Sequence, residues 1–185
     1  TSLATAIRRH LDALYSGDLC VGCEDAAHIK SRSGIAFQEV FSGPDVDITI
    51  FILRSGARMP PHDHPGMHVF GRLLFGRLRV RSLDPEPGST AEPRGARLRS
   101  DEVIGPKPVT YGLGPEEGNV HEIWALDDCA FFDVLTPPYD PRAGRRCTYY
   151  QCEPQDVRDR CVLVPVGPDG AGMDEQNYRG PPFLE

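Results

Sequence analysis

The chain is 185 residues long with a formal net charge of −7, which fits one domain, with or without appendages, that buries roughly two thirds of its unfolded surface. Its arginines are scattered without an interleaved aromatic pattern, and with the acidic balance this argues against nucleic acid as a partner. No apolar run reaches the roughly 18 to 20 residues of a bilayer span, so a soluble protein with a small or peptidic ligand and no membrane association is expected.

From residue 2 to 15, Leu3, Ile7, Leu11 and Leu14 recur at helical spacing and Ser16-Gly17 supplies a stop, so an amphipathic helix opens the chain. Cys20 and Cys23 form a lone Cys-x-x-Cys without the strand before and helix after that a redox motif needs. Residues 47–54 start in strict alternation and are rich in β-branched side chains, the pattern of a half-buried strand. Residues 68–83 carry Val69, Phe70, Leu73, Leu74, Phe75, Leu78 and Val80 around Gly71 and Gly76, two points where a barrel wall can bend. Segments 120–126, 130–135, 147–151 and 161–166 are further strand candidates. Residues 85–96 and 105–118 are dense in Pro, Gly and charge and read as surface loops or hairpin ends. Many short strands between turn signals predict an all-β sandwich or small barrel, with no boundary that cuts 1–185 into two domains.

The run Met59-Pro-Pro-His62-Asp63-His64-Pro-Gly-Met67, answered by Gly118-Asn-Val-His121-Glu122, supplies three imidazoles at metal-ligand spacing. In extended chain His62 and His64 project to one side and Asp63 to the other. These two should open one inner strand, with His121 on a neighbour and Glu122 facing away from it. Three neutral imidazoles leave the metal's charge uncompensated, and a thiol that coordinates such a cation is deprotonated outright. Three protein ligands also leave positions open, as a catalytic site requires. Imidazole suits Fe, Zn, Cu and Ni alike. His68 reads as a pocket or barrel residue without ligand status, because Pro65-Gly66 prevents the helix that would align it with His64. His10 and His28 read as structural or exposed. Six cysteines in a chain too large to need staples, with no secretory signature at its start, read as reduced thiols of the cytoplasm, with the nucleus left open. The chain opens on Thr1 rather than Met, which leaves room for an upstream targeting segment. A monomer is expected.

The stretch from Met59 to Asp84, then Gly118-Asn-Val-His121, Phe132-Asp-Val-Leu-Thr-Pro-Pro-Tyr139 and Arg146-Cys-Thr-Tyr-Tyr150 resemble, in order, the hallmark motifs of the cysteamine dioxygenase and plant cysteine oxidase family. The resemblance covers about residues 47–150. It implies a cupin-type double-stranded β-helix (jelly-roll) barrel with an N-terminal helical extension, and one Fe(II) per chain held by His62, His64 and His121. The activity it implies is oxidation of a thiol to a sulfinic acid with O2.

Asp133 lies in an apolar strand, where an ionised carboxylate is costly unless paired. The resemblance implies a pocket acid that accepts from a substrate ammonium; the competing reading is a carboxylate satisfied by a backbone amide or a ligand histidine, itself able to tune the metal. Tyr139 follows Pro137-Pro138, which either aims its phenol at the open coordination face or makes it a turn residue with an exposed hydroxyl. Cys147 and Tyr149 are two apart in a strand candidate, and the resemblance marks them as the place for a cysteine to tyrosine thioether; otherwise they are a buried thiol beside a packed ring. Cys129, Cys152 and Cys161 read as core or surface thiols.

Free cysteine calls for an arginine clamp on its carboxylate, whereas cysteamine and peptides with amino-terminal cysteine do not. The motifs resemble the branch without the clamp, although Arg58 shares nominal strand parity with His62. A sulfinic acid at a protein's amino terminus can mark it for degradation in this family, which would make the enzyme an oxygen sensor. The alternatives are a free-cysteine dioxygenase, a cupin isomerase or hydrolase, and a non-catalytic binding cupin.

Overall fold

Ser2 caps the first helix by accepting from the Thr5 N–H, and α1 runs Leu3–Asp12 in the computed structural model, which describes residues 2–86, 93–105, 110–156, 158–167 and 172–182. It ends four residues before the sequence stop at Ser16, with Ala13 as its C-cap. A short α2 (Cys23–Ala27) follows. The strands are β1 (Ile35–Ser42), β2 (Asp47–Leu53), β3 (Arg58–Asp63), β4 (His68–Phe75), β5 (Leu78–Pro85) and β6 (Arg94–Ile104), then β7 (Thr110–Leu113), β8 (Val120–Ala125), β9 (Cys129–Thr136), β10 (Tyr149–Pro154), β11 (Arg160–Val166) and β12 (Asp174–Glu175).

One sheet has the order β12-β1-β2-β9-β4-β7, and the other closes on itself as β10-β11-β6-β5-β8-β3. The first sheet is covered on both faces. Ile48, Ile50, Ile52, Phe132 and Val134 pack under the helices with Leu11, Leu19, Ala26 and Ile29. The alternate residues Leu53 and Phe131 pack between the sheets with Met59, Leu78, Val80 and Ile123. Alternation therefore decides which residues of β9 face the inner space, namely Phe131, Asp133 and Leu135. This is the jelly-roll that the motifs imply, with helices stacked on its outer sheet.

Gly76 turns β4 into β5 with φ +77°, and a Cβ there would fall 2.3 Å from the Asp128 carbonyl oxygen. Gly71 serves another purpose than the expected bend. It sits mid-strand, and a Cβ would lie 2.0 Å from the ring of Tyr111, so its bareness lets that ring lie against the wall. The segment 105–118, expected to be loop, contains β7, pinned where Asp12 accepts from the Thr110 N–H and hydroxyl and Arg8 donates to its carbonyl. Residues 87–92 and 106–109 of the two expected loops lie outside the described residues. The strand expected at 147–151 is displaced to β10, leaving Cys147 in the approach to it.

Candidate metal centre

The β3–β8 ladder places His62 opposite His121. His64 follows β3 in a turn closed by the Met67 N–H donating to its carbonyl at 3.0 Å. The two histidines thus close one strand rather than open the next, because Pro65 offers no N–H and Gly66, at φ +67°, reverses the chain. The Nε2 of His121 lies 3.0 Å from Nε2 of His62 and 3.1 Å from Nε2 of His64. All three rings are buried.

The opposite ring nitrogens of His62 and His64 show which tautomer each adopts, while Nδ1 of His121 is buried with no partner among the described residues. Nδ1 of His62 donates to the Pro60 carbonyl at 2.8 Å. Nδ1 of His64 is 2.7 Å from the Tyr139 hydroxyl, which lies 2.8 Å from the Asp63 carbonyl. That carbonyl can only accept, so the phenol gives it its single proton and Nδ1 of His64 donates to the phenol oxygen. Both rings are left with unprotonated Nε2 atoms aimed at a common point. Burial lowers His62 to about 4, and burial with the neighbouring imidazoles holds His64 and His121 well below their ordinary value. Neutral rings in this tautomer are the ligand form of histidine. Converging lone pairs this close repel one another, and a cation between them removes that repulsion. The residues therefore fit a metal ion, and their ligand atoms all lie within 4.8 Å of one another.

Two sets of contacts fix the ligand-bearing loop. Asn119 accepts from the His64 N–H at 3.1 Å and donates to the His64 carbonyl at 2.6 Å, with further donation to the carbonyls of Gly114 and Pro115. Asp63 points away from the triad, as alternation requires. It accepts from the Thr148 N–H at 2.8 Å and the Tyr150 hydroxyl at 2.9 Å, with Arg94 at 3.6 Å. Burial raises its carboxyl, and the Thr148 amide, Tyr150 and Arg94 oppose that rise.

Asp133 is 5% exposed, its Oδ1 has no hydrogen-bond partner, and burial pushes it up to about 8. Tyr139, expected either at the open face or exposed, instead stacks on His64 with ring centroids 5.3 Å apart. The Cys147 thiol interacts with the phenols of both Tyr139 and Tyr149, and burial raises it. The Tyr149 ring is 5.8 Å from that of His62, its partner across the β3–β10 ladder.

Arg58 does not share the face of His62, although it lines the cavity of about 260 Å³ with Pro60 and Tyr149. Met59 pairs with Ile123 but His62 with His121, so β3 carries one extra residue at Pro60-Pro61 and parity flips across that bulge. Arg58 instead bonds Glu122 at 2.6 Å, on the far side of the wall from His121. His68, read as a pocket or barrel residue, lies on the jelly-roll strand β4, where it is exposed and stacks with Phe70, and His10 and His28 are exposed.

Sequence reasoning assigned no role to Asn119 or Tyr111. The Gly118-Asn119 pair before His121 was a usable signal for the first. Tyr111 lay inside an apparent loop; its hydroxyl is buried without a partner. It lines a cavity of about 710 Å³ with Val80, Ser82 and Leu113, and Ser82 stands opposite His121 in the β5–β8 ladder. A smaller cavity of about 260 Å³ touches Pro60 and Tyr149.

The PCO_ADO family model matches residues 8–183. The chain is 34% identical over 142 residues to 2-aminoethanethiol dioxygenase of Mus musculus, covering 63% of this chain and 54% of that protein. It is 36% identical over 131 residues to plant cysteine oxidase 1 of Arabidopsis thaliana, covering 69% of this chain and 45% of that protein. The chain thus spans about half the length of the curated relatives it matches. Among solved structures, KdgF from Halomonas sp. superposes with a TM-score of 0.44 at 19% identity, covering 58% of this chain and 83% of that chain. With nearly its whole length inside the family model, the chain belongs to the PCO_ADO family, that of the plant cysteine oxidases and 2-aminoethanethiol dioxygenases.

Proposed function

We propose that the chain is a monomeric, single-domain, Fe(II)-dependent thiol dioxygenase that adds both atoms of O2 to a thiol, giving a sulfinic acid. The observation that carries this reading is the convergence of three buried, neutral imidazoles with no carboxylate among them. Ferrous iron in that face would supply a Lewis acid that favours the thiolate and a redox partner for O2. His62, His64 and His121 would hold it, and Tyr139 and the Pro60 carbonyl fix the tautomer of two of them.

Asp133 is the group for the substrate's ammonium. A buried carboxylate with an unpartnered oxygen gains a hydrogen bond and a charge partner when a cation arrives. Arg58 is committed to Glu122, so the clamp that free cysteine would call for is not supplied from that position. Cysteamine needs no such clamp, and neither does a peptide or protein with amino-terminal cysteine. Such a substrate would make the enzyme an oxygen sensor acting through protein degradation.

The test is anaerobic reconstitution with Fe(II), then exposure to O2 with a cysteine-initiated peptide, cysteamine and free cysteine in parallel. Mass spectrometry should show two oxygen atoms gained on the peptide and none on free cysteine. His62→Ala, His64→Ala and His121→Ala should each lose both bound iron and turnover. Iron bound with no oxygen gained by any thiol would send the reading to other cupin chemistries.

A further inference from the structure

Tyr111 in β7 and Asp133 in β9 stand in one row across the first sheet, and Gly71 of β4 is the register partner of both. Residues paired in this way share a face. It is the inner face, since Asp133 alternates with Phe132 and Val134, which pack beneath the helices. The bare position in the middle lets the outer two approach. A Cβ on Gly71 would collide with Cζ and the hydroxyl oxygen of Tyr111, so the phenol tip rests over the Gly71 backbone. That is one strand spacing, about 4.8 Å, from the strand that carries Asp133. The Tyr111 ring also meets Phe131, the residue before Asp133 on the same face, with centroids 6.5 Å apart.

Both tips are polar and buried, yet the Tyr111 hydroxyl and Asp133 Oδ1 bond neither to each other nor to any other described residue. Buried oxygens left unpaired are costly and rare. A phenol and an acid side by side with no bond between them leave room for a third group that bonds to both. Tyr111 lines its cavity together with Ser82, which stands opposite His121 in the β5–β8 ladder. Asp133 acts electrostatically on Tyr111 and also on Tyr139, the partner of His64. The pair therefore lies within reach of a small molecule held at the metal centre.

We propose that Tyr111 and Asp133 together seat the ammonium of the thiol substrate, with Tyr111 as the second acceptor and a determinant of the preference for amine-bearing thiols; this rests on the thiol dioxygenase reading above. An ammonium has three N–H donors, so it gives one to the Asp133 carboxylate and one to the Tyr111 oxygen. Burial and the Asp133 charge keep the phenol protonated, and its own proton is free to turn to the carboxylate. A water could answer the hydrogen bonds but not the charge, whereas a cation answers both. A thiol without an amine leaves the two oxygens unpaired, which is the strong form of discrimination.

The probes are cysteamine and its isostere 1-propanethiol, bound without O2 to the Zn(II)-loaded full chain and followed by titration calorimetry. Zinc has no redox chemistry, so binding is read apart from turnover. Tyr111→Phe keeps the ring and loses the hydroxyl; it should weaken cysteamine about tenfold and leave 1-propanethiol unchanged. Asp133→Asn should show the same selectivity, and the double variant should lose less than the product of the two, because one ammonium serves both groups. Gly71→Ala keeps the hydroxyl but drives the ring from its place, and should weaken cysteamine alone as well. Tyr111→Phe weakening both thiols equally, or neither, would overturn the role of Tyr111, as would losses that multiply independently in the double variant. Failure of both thiols to bind the wild-type zinc form would also overturn it, while the dioxygenase reading stands or falls separately on oxygen gained by thiols with Fe(II).

Discussion

Asn119 holds the His64 peptide at both ends, accepting from its N–H at 3.1 Å and donating to its carbonyl at 2.6 Å. A turn that could otherwise flex thereby presents one imidazole in a fixed direction. Asn119→Ala removes these bonds and those to the Gly114 and Pro115 carbonyls in a buried place, so metal affinity should fall about 10- to 100-fold. Asn119→Asp keeps an acceptor but loses the donor, and should also weaken binding. Competition with a chromophoric chelator for Fe(II) or Zn(II) measures this, and unchanged affinity in both variants would remove Asn119 from the design of the site.

Tyr139 acts on the metal through His64. Tyr139→Phe retains the ring stacked at 5.3 Å but deprives Nδ1 of its acceptor at 2.7 Å. Affinity should again drop by about 10- to 100-fold, with the melting temperature of the metal-free protein changed far less. Equal metal affinity in the variant would assign Tyr139 to packing alone.

Asp133 gives the metal-free protein a distinctive pH dependence. Its carboxyl is raised to about 8 in the folded chain, so from its unfolded value of 3.8 up to about 8 the native state keeps a proton that the unfolded state has lost. The Asp133 contribution to stability therefore declines as pH rises through that window, by a ceiling of about 1.4 kcal/mol per pH unit, against the rise that the three lowered histidines contribute below their unfolded value of 6.5. Asp133→Asn removes that contribution and should raise stability at neutral pH relative to the wild type. It should also impair turnover of amine-bearing thiols while sparing metal content. Urea melts from pH 5 to 8 on both proteins check the first claim, and parallel slopes would show that Asp133 is ionised and compensated.

The Cys147 thiol lies with the phenols of Tyr139 and Tyr149. Turnover with iron and O2 should join Cys147 to Tyr149 as a thioether, read as the loss of two hydrogens from a peptide containing both residues. Cys147→Ser and Tyr149→Phe test the assignment differently: the first must abolish the mass change, and the second separates carbon attachment from any role of the hydroxyl. An unaltered mass after many turnovers would leave the pair as packing.

The metal centre was largely legible because its ligands sit in local motifs. His62, Asp63 and His64 alternate as extended chain requires, and Glu122 points away from His121. Strand β2 was legible from its β-branched alternation, and β8, β9 and β11 as segments of ordinary strand length. What failed depended on distant partners. β1 and β6 were passed over, since β6 is an 11-residue strand with mixed polar burial and draws its order from pairing with β5 and β11. Arg58 was misplaced because a single extra residue at Pro60-Pro61 reverses facing, and a bulge is visible only once the partner strand is known. Tyr111 was hidden by surrounding turn residues, although Gly71, taken for a bend, was its counterpart.

Asp63 separates two ligands that face one interior, yet its own carboxylate belongs to the other, where Thr148 and Tyr150 receive it. The peptide unit bearing the ligands is therefore shared property of two compartments. A minimal domain ending after β9 would retain all three imidazoles while deleting the amide and the phenol that hydrogen-bond the carboxylate between them. Grafting the His-Asp-His triplet onto a smaller scaffold would fail for the same reason unless the graft brings a substitute for β10.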